Sequence, residues 1–192
     1  MNHLELAKQK RTSSKKVNYN MTIVDFVCWC YINLTPAKYG FQLQQYFCHI
    51  LLNLKECDKK LGLGDYYFNG GTGEFKATYL SEGKSYSLLH LREWQPYSYY
   101  MFCFIDCDND FTPEFYVILK EDLNNLKLEY MNGRGSENNN NKFREKRYSV
   151  RKNSKSHTYL KEVNLLNGTT YEDLHSYINK CGTKFWDRYN VT

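Results

Sequence analysis

The chain has 192 residues, enough for one domain with a sizeable core. A formal net charge of +5 is too small for overall basicity alone to establish a nucleic-acid partner, so the arrangement of charge must carry any such argument. No secretory leader pattern and no apolar run of membrane-spanning length is visible, and the seven cysteines sit mostly in apolar stretches, which predicts a reduced, cytoplasmic compartment and no membrane partner. Cys28-x-Cys30 and Cys103-x-x-x-Cys107 lack the Cys-x₂-Cys pairing of structural zinc sites and read as packed thiols.

Residues 1–20 carry Lys8, Lys10, Arg11, Lys15 and Lys16 with few large apolar groups after Leu6. They predict a mobile basic arm, either a solvated terminus or a DNA-contacting one, ahead of a single domain over 21–192. The apolar run from Ile23 to Ile32 predicts a buried helix with Asn20 or Thr22 as N-cap, although its β-branched content leaves a strand open. Thr35-Pro36 opens a second helix, with Thr35 as cap and Pro36 at its first position, expected to run to about Cys57. Phe41, Gln45, Cys48 and Leu52 fall three or four apart, as do Leu43, Phe47, Ile50 and Leu54, so most of that helix is apolar. Gln42, Gln44 and Gln45 are its polar exceptions, and His49 reads as a partly buried structural histidine.

The stretch Gly64-Asp65-Tyr66-Tyr67-Phe68-Asn69-Gly70-Gly71-Thr72-Gly73-Glu74-Phe75-Lys76 predicts two strands meeting at a Gly-rich reversal. Such a hairpin brings Asp65 close to Glu74. Side chains alternate along a strand, so Glu74 and Lys76 share one side while Phe75 points into the core. Two carboxylates and an ammonium group then converge at one strand end. Oxygen ligands of this kind suit Mg²⁺, which takes one or two protein carboxylates, keeps several waters and binds substrate phosphates. The bland alternative is an exposed strand face with an ordinary ion pair. The Asp/Glu-x-Lys pattern also occurs at Asp58-Lys59-Lys60 and Glu82-Gly83-Lys84, but those read as a charge cluster after a helix and as a turn.

Tyr86 to Leu91, Ser98 to Asp106 and Glu114 to Lys120 are strand-like, and Tyr99 to Ile105 is apolar on both faces, as an interior strand is. Glu121 to Lys127 predicts a short helix. Asn132 to Lys142 has no hydrophobic period and leads into the strongly basic Phe143 to Lys152. Asn hydrogen-bonds adenine, Arg hydrogen-bonds guanine, and Lys or Arg holds phosphate. That makes Asn132, Arg134, Asn138, Asn139, Asn141, Lys142, Arg144, Lys146 and Arg147 the candidate DNA-contacting set; the alternative is a low-complexity loop in an Asn/Lys-rich chain. Tyr171 to Lys180 predicts a terminal helix stopped by Gly182.

Gly64-Asp65, then Glu74-Phe75-Lys76, then Leu89-His90-Leu91-Arg92-Glu93-Trp94-Gln95 and the apolar Tyr99 to Ile105 together resemble the PD-(D/E)XK nucleases, and within them small type II restriction endonuclease-like proteins. The likeness runs from roughly Tyr39 to Tyr148. It implies an α/β, restriction-endonuclease-like fold, a mixed central sheet flanked by helices on both sides, and Mg²⁺-dependent hydrolysis of double-stranded DNA, with Mn²⁺ as a substitute metal. By the same resemblance Asp65, Glu74 and the Phe75 carbonyl hold the metal, Lys76 is the catalytic lysine, and the products carry 5′-phosphate and 3′-hydroxyl ends. Gly64 stands at the proline that names the motif. Many relatives place a Glu on the preceding helix, where this chain offers Gln44 or Gln45 as site support. Arg92 and Gln95 sit where the family often places an Arg and a Gln; the plainer reading pairs Arg92 with Glu93 or another acid. A homodimer is compatible with two sites cutting both strands. Two rivals stay open: a repair or phage DNA-processing nuclease of the same fold, and a non-catalytic DNA-binding protein that keeps it.

Overall fold

The computed structural model describes residues 17, 19–58, 61–68, 70–80, 84–126, 129–130 and 145–166. The expectations for most of the basic arm, for Lys60, Asn69 and Glu82-Gly83, for Asn132, Arg134, Asn138, Asn139, Asn141, Lys142 and Arg144, and for the helix over 171–180 lie outside these residues.

Helix α1 spans Ile23–Asn33. Thr22 is its N-cap, and its hydroxyl accepts the Asp25 N–H at 3.2 Å, a contact worth about 1 kcal/mol. Phe26, Val27 and Cys30 form the buried face. Pro36 excludes a continuous helix, because a proline disfavours the helical conformation at the residue before it. Helix α2 (Pro36–Gln44) then starts with the proline at its first turn and passes into a π-helical segment, Gln45–Leu51, where Tyr46, Phe47 and Cys48 are all buried. The helix ends well short of Cys57. Asn53 takes a left-handed φ of 50°, a conformation Asn tolerates at helix ends, and the His49 ring bonds the Leu54 carbonyl at 2.9 Å.

Residues 55–57 run instead beside the next strand: the Tyr67 N–H bonds the Lys55 carbonyl and the Cys57 N–H bonds the Asp65 carbonyl. Strand β1 (Tyr66–Phe68) pairs antiparallel with β2 (Gly71–Tyr79), with Tyr66 opposite Gly73. The reversal is tighter than the sequence suggests, because Gly71, Thr72 and Gly73 already belong to β2. A Cβ on Gly73 would lie 2.5 Å from the Tyr66 ring, so only glycine lets that buried ring cross the strand.

Beyond β3 (Ser85–Leu91), strands β4 (Tyr99–Ile105) and β5 (Pro113–Leu119) complete a four-stranded mixed sheet in the order β1-β2-β4-β5, with β2 and β4 parallel and the other pairs antiparallel. Residues of β4 alternate between two cores. Met101, Cys103 and Ile105 join Phe75 and Tyr79 of β2 and Phe115 and Val117 of β5 under α1, α2 and the π segment. On the opposite face Tyr100, Phe102 and Phe104 join Tyr116 and Ile118. Both sides of β4 are therefore dry, as its composition predicts.

Helices alone do not cover that second face. A three-stranded sheet, β3-β7-β6, supplies Tyr86, Leu88 and Leu91 from β3 and Tyr148 and Val150 from β7 (Lys146–Arg151), with β6 the short strand Glu129–Tyr130. The Tyr86 and Phe104 rings stack with centroids 4.4 Å apart. Helix α3 (Lys155–Glu162), capped by Ser154, adds Leu160. A 3₁₀ helix at Lys120–Asn125 stands where the short helix after β5 was expected. The architecture is thus mixed α/β with a mixed sheet flanked by helices, plus a second small sheet. Among the described residues, no helix is long and apolar enough to cross a membrane.

Candidate active site

Strand β1 covers only Gly71 to Gly73 of β2, so the edge of β2 from Glu74 onward has no ladder partner on that side among the described residues. A cleft of about 510 Å³ opens there, between α2, β2 and β3. Asp65, Glu74, Phe75, Lys76 and Gln44 all line it.

Gly64 holds the chain in position just before β1. Its φ is +107°, and a Cβ there would lie 2.6 Å from the Gly73 carbonyl oxygen. Glycine is the residue that reaches this conformation and tolerates this approach. The Asp65 N–H can then bond the Gly73 carbonyl at 2.7 Å, while its carboxylate accepts the Phe75 N–H at 2.8 Å. The N–H and C=O of one residue in an extended strand point to the same edge. The Phe75 carbonyl therefore lies on the Asp65 side, away from β4. On the next positions of β2, Glu74 is 7% exposed and its Oε1 is 2.5 Å from the Lys76 Nζ.

The electrostatics are unbalanced. Burial pushes the Asp65 carboxyl up to about 6, the neighbouring Glu74 charge adds to the rise, and the Phe75 N–H, Lys76 and a hydrogen bond from the Gln44 side chain offset it only in part. A buried carboxylate, Glu74, and a partly buried one, Asp65, share one ammonium. A divalent cation between them would remove the repulsion, and the donor set of two carboxylates and a strand carbonyl fits an oxygen-seeking ion that keeps several waters. Among the described residues no group of three or more His, Cys, Asp or Glu side chains is gathered for a metal, so such an ion would depend on water and substrate oxygens for its remaining ligands.

The supporting residues divide. Gln44 bonds Asp65, whereas Gln45 opens the π segment and does not line the cleft. Arg92 and Gln95 do not line it either. The Arg92 Nε donates to Glu145 Oε1 at 2.8 Å, and the Gln95 carbonyl accepts from the Lys120 ammonium. Of the basic set on β7, Lys146 forms an ion pair with Glu93 at 2.6 Å, and Arg147 is exposed on the outer face of the strand. Lys84, of the third Asp/Glu-x-Lys match, lies at the start of β3 with a φ of 56° and is absent from the cleft.

One lining residue had no role in the sequence reading. His90 sits at an irregularity of β3, where the register with β7 shifts between Leu88 and Leu91, and has a left-handed φ of 58°. Its Nδ1 is 2.6 Å from Glu145 Oε2. The only signal in the sequence was a polar residue inside Leu88-Leu89-His90-Leu91; the partner 55 positions on carried none.

Comparison of the chain with protein-family models, with curated proteins and with solved structures gives no match.

Proposed function

We propose that this chain is a metal-dependent nuclease that hydrolyses phosphodiester bonds of double-stranded DNA, a type II restriction-like endonuclease of the PD-(D/E)XK kind. The observation that carries the reading is local: Asp65 is bonded to the Phe75 N–H, and Glu74 and Lys76 flank that residue on one strand in one cleft. The resemblance places a metal at Asp65, Glu74 and the Phe75 carbonyl. Mg²⁺, or Mn²⁺ in its stead, would supply Lewis-acid charge to the scissile phosphate.

The chain's own residues have separate tasks. Asp65 is aimed by two backbone contacts to β2, and Gln44 keeps it from turning away. Glu74 holds the Lys76 ammonium on the cleft side of the strand, where its charge can steady an attacking water and offset the negative charge that grows on phosphate oxygens. Base reading falls to the Asn residues of the 132–141 segment and phosphate contact to Arg144, Lys146 and Arg147, and a homodimer would let two clefts cut both strands.

A second reading, a DNA-binding protein without turnover, is favoured by Gln44 standing where an acid would complete the site. Incubating the protein with long unmethylated DNA and Mg²⁺, then sequencing the ends, separates the two. Defined ends with 5′-phosphates support the nuclease; intact DNA that is nonetheless bound supports the rival.

A further inference from the structure

A histidine half-exposed at a strand surface is by itself unremarkable, but three observations converge on His90. It lines the same cleft as Asp65, Glu74 and Lys76, from strand β3. Its backbone is turned into the left-handed region at a break in the β3–β7 register, a device that re-aims a side chain and is common beside active sites. Its Nδ1 is held at 2.6 Å by Glu145, whose other oxygen is held by Arg92. Partial burial raises the Glu145 carboxyl, but the hydrogen bonds and charges of His90 and Arg92 more than reverse this and draw it below the ordinary carboxylate range. A carboxylate on Nδ1 fixes the orientation of the imidazole, so a proton passed to a bound substrate would come from Nε2.

We propose that His90 is the general acid of this cleft, protonating the leaving 3′-oxygen, and that Glu145, clamped by Arg92, is its positioning residue. The inference rests on the phosphodiester-hydrolase reading above. As the water oxygen forms its bond to phosphorus it releases one proton to solvent. The bond from phosphorus to O3′ breaks with its electron pair on oxygen, and O3′ takes the Nε2 proton. Solvent then reprotonates His90. Lys76 and the carboxylates act on the attacking side and the phosphate, so the residues of the cleft divide the work.

The test replaces the leaving atom. Once end sequencing has mapped a cut, a short duplex containing that linkage is made with the natural 3′-oxygen or with a 3′-bridging sulfur, a leaving group that needs no proton. His90→Asn keeps a residue that accepts left-handed backbone. Its single-turnover rate is expected to fall about 10²–10⁴-fold on the oxygen linkage and less than about tenfold on sulfur. Glu145→Gln should lose less on oxygen and be rescued in the same way, and it decides the matter if His90→Asn melts early. Equal losses on both linkages, or none on oxygen, overturn the proposal and leave His90 as a clasp between β3 and β7. A wild-type protein that cuts neither linkage overturns the hydrolase reading with it, whereas wild-type cutting that Asp65→Asn abolishes, together with equal His90→Asn losses, overturns the His90 role alone.

Discussion

Two polar clusters occupy opposite ends of the central strands, and they are put together differently. At the start of β2, Asp65 and Glu74 share a single lysine and open onto a cleft. At the far end, Asp106 follows β4 and forms an ion pair with Lys152, while Glu114 of β5 accepts the Tyr116 hydroxyl at 2.8 Å and that hydroxyl meets His157 Nε2 at 2.9 Å. The Asn153 N–H bonds His157 Nδ1 at 3.1 Å, so Nε2 carries the ring proton and gives it to Tyr116. Every member of this second chain has a partner, and its effect is to dock α3 on the sheet. A cluster whose polar groups close on one another serves the fold; one whose two carboxylates repel each other beside an opening, with Asp65 pushed up by burial and by Glu74, leaves negative charge in surplus there and suits a cation that the chain does not itself supply.

The sharpest way to break the contrast is to neutralise the surplus. Asp65→Asn should lower cleavage by at least about 10³-fold, yet raise the melting temperature measured without divalent metal, at about 2–4 °C for each kcal/mol of repulsion removed. Mg²⁺ should stabilise the wild-type protein and not the variant. Thermal melts in EDTA and in Mg²⁺ check both statements, and a lower melting temperature for Asp65→Asn in EDTA would remove the electrostatic argument.

The lysines of the two clusters should then differ in what they do to the rate. Lys76→Ala is expected to cost about 10²–10³ in rate and also to lower the melting temperature, because Glu74 and Asp65 lose the ammonium they share, whereas Lys84→Ala costs nothing in rate. Lys152→Ala, in contrast, should leave the rate unchanged and cost about 1 kcal/mol of stability, a small figure because Lys152 is more than a third exposed although Asp106 is buried. Paired kinetic and denaturant measurements on the three variants would test this.

Acid should act on the matched cluster. Burial, with Lys161 and Lys152 nearby, holds His157 below its ordinary value, and Glu114 opposes them only in part. A folded-state value below the unfolded one means that the contribution is fully present above the unfolded value, near 6.5, and is lost as pH falls through the folded value. The His157 contribution should therefore decline below about pH 6.5, against a gain from Asp65, whose carboxyl, raised to about 6, takes up a proton in the folded state first; His157→Gln should lose less stability than the wild type over the same acidification. Melting curves at successive pH values give the answer.

The smallest effect expected is on β7. Arg147→Ala should reduce the salt dependence of DNA binding by about one unit of slope, whereas Lys146→Ala should do less, since Lys146 is engaged by Glu93. Affinities for random duplex across a salt series distinguish them.

Much of this was legible in local pattern. Alternation along Glu74-Phe75-Lys76 fixed which side chains share a face, the two-sided apolarity of Tyr99 to Ile105 marked the interior strand, and Thr22 and Pro36 marked helix starts. What was hidden depended on distant contacts. The second helix stops because Asn53 turns left-handed and the chain pairs beside β1, an outcome its heptad-like apolar spacing does not encode. Strand β3 leaves the main sheet because Tyr86, Leu88 and Leu91 find β7 some 60 residues later. Helix α3, over an 8-residue stretch with only His157 and Leu160 buried, has too faint a stripe to be noticed. Within the candidate site, the pairing of Arg92 and His90 with Glu145 has no sequence spacing to announce it. Gly64, met as a departure from a proline, turns out to use a φ of +107° that proline cannot adopt.

The brevity of β1 also bears on self-association. An extended strand with one bare edge invites a strand from another molecule to add to it. Here the first free donor of that edge, the Phe75 N–H, is taken by a carboxylate, and Lys76 stands on the adjoining position. An incoming strand would have to expel Asp65 and bury charge against Glu74. The residues of the candidate site thus also act as a stopper against edge-to-edge aggregation, and variants that neutralise the whole cluster at once should be tested for solubility before they are scored for activity.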